Sequence, residues 1–245
     1  MILISGFKFV CLSCRLVVSI RDLLSWVRFI NVFCNKSKTS APSNHAHNVA
    51  LAVVHGACLV FLDALFDDVT SQARNDLTRG SCERALVGLI RQRLGVDLSP
   101  DVTSKLTSQT HSRIQFASTT QQFGVDPFFI ARRPLPLCDV TDYSLDAPTT
   151  GSNVVRVLRA LQLPRAILLE GSPGVGKTSL VSALARASGH SLQRINLSEQ
   201  TDVSDLFGSD LPVEGGDGRQ FAWRDGPFLQ ALKAGHWIVL DEVTN

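Results

Sequence analysis

The sequence has no surplus of charge of either sign: 24 Lys and Arg stand against 22 Asp and Glu in 245 residues, a formal net charge of +2. Bulk electrostatics therefore gives no reason to invoke nucleic acid as a partner, and no sequence-specific nucleic-acid binding is expected. Cysteine is sparse and scattered, at positions 11, 14, 34, 58, 82 and 138, and only Cys11 and Cys14 form a C-x-x-C. No second pair supports zinc, and no thioredoxin-like context surrounds the first, so reduced thiols of an intracellular protein are expected. Long apolar runs are missing too. The longest, Val49 to Leu62, stops at Asp63; as a helix it spans about 21 Å, short of the roughly 30 Å of a hydrocarbon core, and reads as a buried helix. The N-terminal 34 residues are broken by Lys8, Arg15, Arg21, Asp22 and Arg28. They lack the unbroken apolar stretch and small-residue cleavage site of a signal peptide, and no membrane partner is expected.

What is present suffices for one good core or two modest ones, with 44% hydrophobic and 19% charged residues. From Ile20, the residues Leu23, Leu24, Val27 and Ile30 recur at helical spacing and predict an amphipathic helix. The polar stretch from Asn35 to Asn48 reads as a loop, Val49 to Leu65 as a second helix, and Cys82 to Leu94 as a third that Gly95 stops. These three helices form a small helical unit over 19–96, after an unassigned extension over 1–18. Residues 97–140 read as a connector, with a short strand around Ile114 to Ala117 and an extended path through Pro127, Pro134 and Pro136. From 141 to 245 the pattern alternates helix and strand, as an α/β domain does: a helix from Thr149, a strand from Ala166 to Glu170, and another from Ser191 to Leu197.

The chemistry lies in this last part. The strand ending at Leu169 runs into Gly171-Ser172-Pro173-Gly174-Val175-Gly176-Lys177-Thr178, and a helix from Ser179 follows at once. This is G-x-x-x-x-G-K-T in its required setting. The glycines let consecutive backbone N–H groups point at phosphate oxygens, and the helix N-terminus adds its positive end. Lys177 would reach the β- and γ-phosphates and Thr178 would take a place on Mg²⁺. Downstream, the apolar run from His236 to Leu240 ends in Asp241-Glu242. Alone, that pair reads as a surface acid pair in a turn. About 65 residues after a phosphate loop, at a strand end, it reads as the second half of the site, with Asp241 on the metal and Glu242 as general base for the attacking water. Between the halves, Pro212 to Arg219 is rich in Gly and acid, and Phe221-Ala222-Trp223 follows. This predicts a β-hairpin whose aromatics more often close a small core than contact a partner. Asp225-Gly226-Pro227 then starts a helix to Leu232.

At this point the chain resembles a known family. The runs ILLEGSPGVGKTSLVSALARASGH (167–190), RINLSEQTDVSDLFGSDLPVEGG (194–216) and FAWRDGPFLQALKAGHWIVLDE (221–242) are similar to the midasin family. These are giant dynein-related AAA+ ATPases with six AAA modules in one chain, which remove assembly factors from precursors of the large ribosomal subunit. DAPTTGSNVVRVLRALQLP (146–164) matches the segment leading into the nucleotide site, while SIRDLLSWVRFIN (19–31) and VHGACLVFLDAL (54–65) resemble the helical lid of a preceding module. The resemblance covers about residues 19–243.

It implies an α/β P-loop NTPase core, an incomplete parallel sheet with helices on both faces and a centrally placed phosphate loop, preceded by a helical unit. ATP and Mg²⁺ are the implied cofactors, with ATP held by Gly171 through Thr178 and Ser179. Lys177 and Glu242 are the implied catalytic residues, and Thr178 and Asp241 the metal ligands. Phe207 to Asp225 becomes an insert hairpin. Neighbouring AAA modules and the pre-60S particle with its assembly factors are the implied partners, in the nucleus (nucleolus and nucleoplasm). Two departures stand out: Thr244 falls where the family carries Asn, and Met1 to Val18 matches nothing in it. The sequence stops before a sensor strand, an arginine finger and a lid of its own, so this stretch is expected to leave a sheet edge open and to turn over little ATP alone. The competing readings are a MoxR-type AAA+ chaperone ATPase, which lacks a preceding lid, and a nucleotide-binding or interaction fragment without turnover.

Overall fold

The computed structural model describes residues 2–6, 19–36, 45–63, 72–98, 114–133, 143–212 and 221–243. Cys11, Cys14, Cys138, Pro134 and Pro136 lie outside them.

Helix α1 (Ile20–Lys36) opens with reciprocal capping. The Ser19 backbone N–H and hydroxyl donate to Asp22 Oδ2 at 2.9 and 2.7 Å. The face it buries is not the one its sequence pattern suggests. Phe29 and Phe33 are buried, whereas Ile20, Leu23, Leu24 and Val27 stay exposed. The large aromatics decide the rotation, because they bury more surface per residue than the aliphatic stripe. Helix α2 (His45–Ala57) starts four residues before the expected Val49 and continues as a π-helical turn over Cys58–Leu62. Together they make 18 residues that are by length and composition enough to cross a membrane, 44% buried inside the fold. Ala50, Ala52, Val54, Cys58 and Leu62 are buried along it. Gly56 permits the close crossing with α1: a Cβ there would stand 2.6 Å from Trp26 Cδ1. Trp26 Nε1 in turn donates to the Val53 carbonyl at 2.9 Å. Helix α3 (Gln72–Leu94) begins ten residues before the predicted start.

The connector holds more structure than expected. Strands β2 (Ala117–Ser118), β3 (Gln122–Val125) and β4 (Phe128–Ala131) form an antiparallel sheet in that order. Pro127 sits in the tight turn between β3 and β4 instead of extending the chain. The turn delivers Phe128, 1% exposed, into a junction between helices. There its ring meets His55 at 4.7 Å and Phe33 at 6.2 Å, and lies 5.7 Å from the guanidinium carbon of Arg159. Arg159 belongs to α4 (Pro148–Ala160) and pairs at 2.9 Å with Asp63, which follows the π-helical turn. That turn closes with the Asp63 N–H on the Cys58 carbonyl at 2.8 Å. The first helices and the α/β part thus share one apolar cluster, running from Phe29, Phe33 and Ala52 through Phe128 to Val154, Leu158, Leu184 and Val239.

The α/β part is built on a four-stranded parallel sheet. Its strands are β5 (Ile167–Leu169), β1 (Ile2–Gly6), β9 (Trp237–Val243) and β6 (Leu192–Asn196), in that order. The phosphate-loop strand β5 is therefore at the edge among the described strands, not central as the resemblance implied. The sheet also contains a strand that the sequence reading left unassigned, since β1 pairs with both β5 and β9. Helix α5 (Lys177–Ala187) follows β5 and buries Leu180, Val181, Ala183, Leu184 and Ala185. Helix α6 (Val203–Phe207) leads into the hairpin of β7 (Gly208–Pro212) and β8 (Phe221–Asp225), and α7 (Pro227–Lys233) returns the chain to β9.

Candidate nucleotide site

Strand β5 ends at Leu169, and the chain turns back through Gly171, Gly174 and Gly176 at φ values of +152°, +79° and +84°. Each lies where an L side chain rarely goes, and at Gly174 a Cβ would meet nothing within 4 Å. The backbone conformation, not crowding, requires glycine at that position. Gly176 caps α5, and its carbonyl accepts the Leu180 N–H at 2.9 Å. Gly171, Ser172, Pro173, Gly174 and Val175 are exposed, as is Ser179, whereas Lys177 and Thr178 are half-buried. The Lys177 ammonium donates to the carbonyls of Gly171 and Ser172 at 2.8 and 2.9 Å, tying the loop's start to its end.

The two halves read from the sequence meet in space. Thr178 Oγ1 donates to Asp241 Oδ2 at 2.9 Å across 63 residues of chain. Asp241 is 8% exposed and also receives its own neighbour's backbone, the Glu242 N–H, at 3.1 Å. Glu242 is exposed, with φ of +58°, the one non-glycine residue at positive φ among those described. A threonine hydroxyl and a carboxylate at hydrogen-bond distance suit Mg²⁺, which takes one or two protein oxygens together with phosphate oxygens and water. Among the described residues no group of three or more His, Cys, Asp or Glu converges as a metal site. A cation here therefore depends on phosphate oxygens to complete its shell.

Two residues near the site escaped the sequence reading. Arg194 on β6 pairs with Asp241 Oδ2 at 2.7 Å. Its signal was register: β6 lies beside β9, with Asn196 opposite Asp241, so Arg194 is two residues back on the same face. Tyr143 lies against the loop, its hydroxyl 3.6 Å from where a Gly176 Cβ would stand. No motif marks it. The hairpin departs from expectation as well, because Phe221 and Trp223 are 65% and 55% exposed and do not close a small core. Trp223 Nε1 donates to Asp225 at 2.8 Å. Hydrogen bonds from Lys233 first, and then from Trp223, lower the Asp225 pKa.

A glycine-rich turn between a parallel strand and a helix, joined through Thr178 to an acid at the end of another strand of the same sheet, has the arrangement of a P-loop nucleotide-binding module. Residues 166–245 match the family described as the AAA domain of the dynein-related subfamily, and residues 12–63 match the midasin AAA+ ATPase lid domain. The chain belongs to the midasin family. It is 45% identical to midasin of Dictyostelium discoideum over 93% of its length and 37% identical to midasin of Giardia intestinalis over 92%. It spans 4% and 5% of the length of those relatives. A shorter similarity, 32% identity over 34% of this chain and 32% of the other, links it to an uncharacterised protein of Staphylococcus saprophyticus.

Proposed function

We propose that this chain contributes an ATP-binding and ATP-hydrolysing site to a midasin-like machine that remodels pre-60S ribosomal particles in the nucleus by removing assembly factors. The observation that carries the nucleotide reading is the 2.9 Å bond from Thr178 to Asp241, which brings together two motifs that mean little apart. The backbone N–H groups of Gly174 through Thr178 would bind the phosphates at the N-terminus of α5. Lys177 would exchange its two loop carbonyls for β- and γ-phosphate oxygens. Thr178 and Asp241 would hold Mg²⁺, which when bound neutralises charge on the β- and γ-phosphates. Glu242, exposed beside them, would orient the attacking water and accept its proton.

The preceding helices favour midasin over a MoxR-type ATPase, because residues 12–63 match the midasin lid. In this reading residues 19–96 are the lid-like unit of one module, 97–140 the connector and 141–245 the core of the next. The exposed stripe of Ile20, Leu23, Leu24 and Val27 supports contact with a neighbouring AAA module. Calorimetric titration with ATP, with and without Mg²⁺, tests the site. Asp241→Asn should abolish the gain from Mg²⁺ while retaining metal-free binding, and equal Mg²⁺ dependence in both proteins would overturn the assignment. Co-sedimentation of the full-length protein with pre-60S particles, released by ATP, tests the wider role.

A further inference from the structure

The carboxylate of Asp241 holds a partner that the nucleotide reading does not use. Its Oδ1 accepts the Glu242 backbone N–H at 3.1 Å, and its Oδ2 accepts both the Thr178 hydroxyl at 2.9 Å and the Arg194 guanidinium at 2.7 Å. Arg194 reaches Asp241 from β6, the outer strand on that side of the described sheet, which pairs in parallel with β9, Arg194 opposite Val239 and Asn196 opposite Asp241. The Arg194 side chain is 54% exposed and that of Asp241 11%. One end of the ion pair is thus set into the fold, and the other is a long side chain with solvent beside it. Thr178, Arg194 and Asp241 all lie within residues 166–245, the part that matches the AAA domain.

The two side-chain bonds to Oδ2 differ in what they leave for a cation. Thr178 spends its proton on Asp241, and a hydroxyl oxygen that donates still carries lone pairs, so that bond is compatible with Thr178 as a metal ligand. The Arg194 bond is not. A guanidinium carries a full positive charge and only donors, and a carboxylate oxygen offers about two acceptor directions, which Thr178 and Arg194 take up at Oδ2. A divalent cation that uses this oxygen, directly or through a water molecule, meets a like charge in the direction it needs.

We propose that Arg194 is a positioning residue that competes with Mg²⁺ for Asp241 and makes entry of the metal conditional on nucleotide. While paired, Arg194 compensates a nearly buried carboxylate that would otherwise stand against Thr178 with its charge unmatched. To admit the metal it has to release Oδ2, and its exposure on an outer strand gives it room to turn into solvent. With only Thr178 and Asp241 as protein ligands, a cation gains too little to displace the ion pair, whereas phosphate oxygens complete its shell and tip the exchange. Arg194 thereby discriminates between free metal and metal that arrives with nucleotide.

This inference rests on the nucleotide reading for its second half only, and the test separates the two. Titration of the full chain with Mn²⁺ alone, followed by electron paramagnetic resonance, reads the competition itself. Arg194→Met, which keeps most of the aliphatic stem, should bind Mn²⁺ about fivefold tighter than wild type, equivalent to about 1 kcal/mol. Adding Asp241→Asn should remove that gain. Unchanged or weaker Mn²⁺ binding in Arg194→Met, or a gain that survives Asp241→Asn, overturns the proposal whatever the chain does with nucleotide. With an ATP analogue present, the Mg²⁺ concentration for half-maximal gain in affinity should also fall about fivefold in Arg194→Met, while affinity for the metal-free analogue stays within about twofold. The wild-type chain supplies a check that needs no substitution: the guanidinium resonances of Arg194 should move when Mg²⁺ and the analogue are added together and stay in place with the analogue alone. Resonances that stay in place in both cases defeat the exchange. Variants that obey the Mn²⁺ prediction in a chain that binds no ATP analogue would instead defeat the proposed function, and with it the nucleotide half of this inference.

Discussion

The junction around Phe128 and the loop around Gly174 are opposites within one fold. At the junction, Phe128, His55 and Arg159 are 1%, 4% and 2% exposed, and polar groups are held by burial as much as by bonds. His55 Nδ1 and Arg159 Nε have no hydrogen-bond partner among the described residues. At the loop, five consecutive residues from Gly171 are exposed, and the conformation is held by glycine backbone and two lysine hydrogen bonds. Under the proposed function, stability and nucleotide recognition fall in separate regions, and substitutions in one should leave the other's property nearly untouched.

The strongest way to break that separation is at the junction. Phe128→Ala removes a ring that touches both the first helices and α4, and should lower unfolding free energy by about 3 to 5 kcal/mol. Arg159→Ala removes the guanidinium that pairs with Asp63 at 2.9 Å, and should cost about 3 kcal/mol, in the range for breaking a buried ion pair. Urea denaturation measures both. In the fraction that remains folded, affinity for an ATP analogue should stay within about twofold, a difference of roughly 0.4 kcal/mol. A tenfold loss would show that the two regions are coupled.

The complementary substitution is Lys177→Ala. It removes the point charge for the phosphates and two hydrogen bonds to exposed carbonyls, and should weaken binding at least tenfold, about 1.4 kcal/mol or more. The urea midpoint should barely move, because the lost bonds are accessible to water. Equal titration curves for the two proteins would remove Lys177 from the site.

The contrast also explains what could be read in advance. The loop was legible because its chemistry is local: glycines, Lys177 and Thr178 occupy fixed offsets between a strand and a helix. Asp241 was legible because it ends an apolar strand. The junction was not, since Asp63, Phe128 and Arg159 come from three distant segments, and each residue alone looks ordinary. The exposed stripe of α1 misled for a related reason: helical period shows that a helix has an apolar face, but Phe29 and Phe33 made a second candidate face, and tertiary packing chose between them. The strand at Ile2–Gly6 is five residues long, and its pairing depends on β5 and β9 far along the chain, which its own sequence does not specify.

Acid should distinguish the regions by the smallest effect. Burial first, and the neighbouring Arg159 guanidinium second, hold the His55 pKa well below its ordinary 6.5. His55 therefore stays neutral in the folded chain where the unfolded chain already binds a proton. The unfolded state gains protons as pH falls below 6.5, so the stability due to a neutral His55 is fully present above that pH and declines below it. The slope approaches about 1.4 kcal/mol per pH unit and persists until the folded pKa is reached. His190, also lowered by burial first and then by Arg133, contributes with the same sign. The lowered carboxylates Asp22 and Asp225 act only in more acidic solution, below their ordinary 3.8. Between about pH 7.5 and 5.5 the urea midpoint should thus fall, and His55→Phe, which keeps a ring against Phe128, should flatten that fall without abolishing it. An equally steep fall in His55→Phe would mean that the junction does not hold this histidine neutral and that the acid sensitivity lies elsewhere.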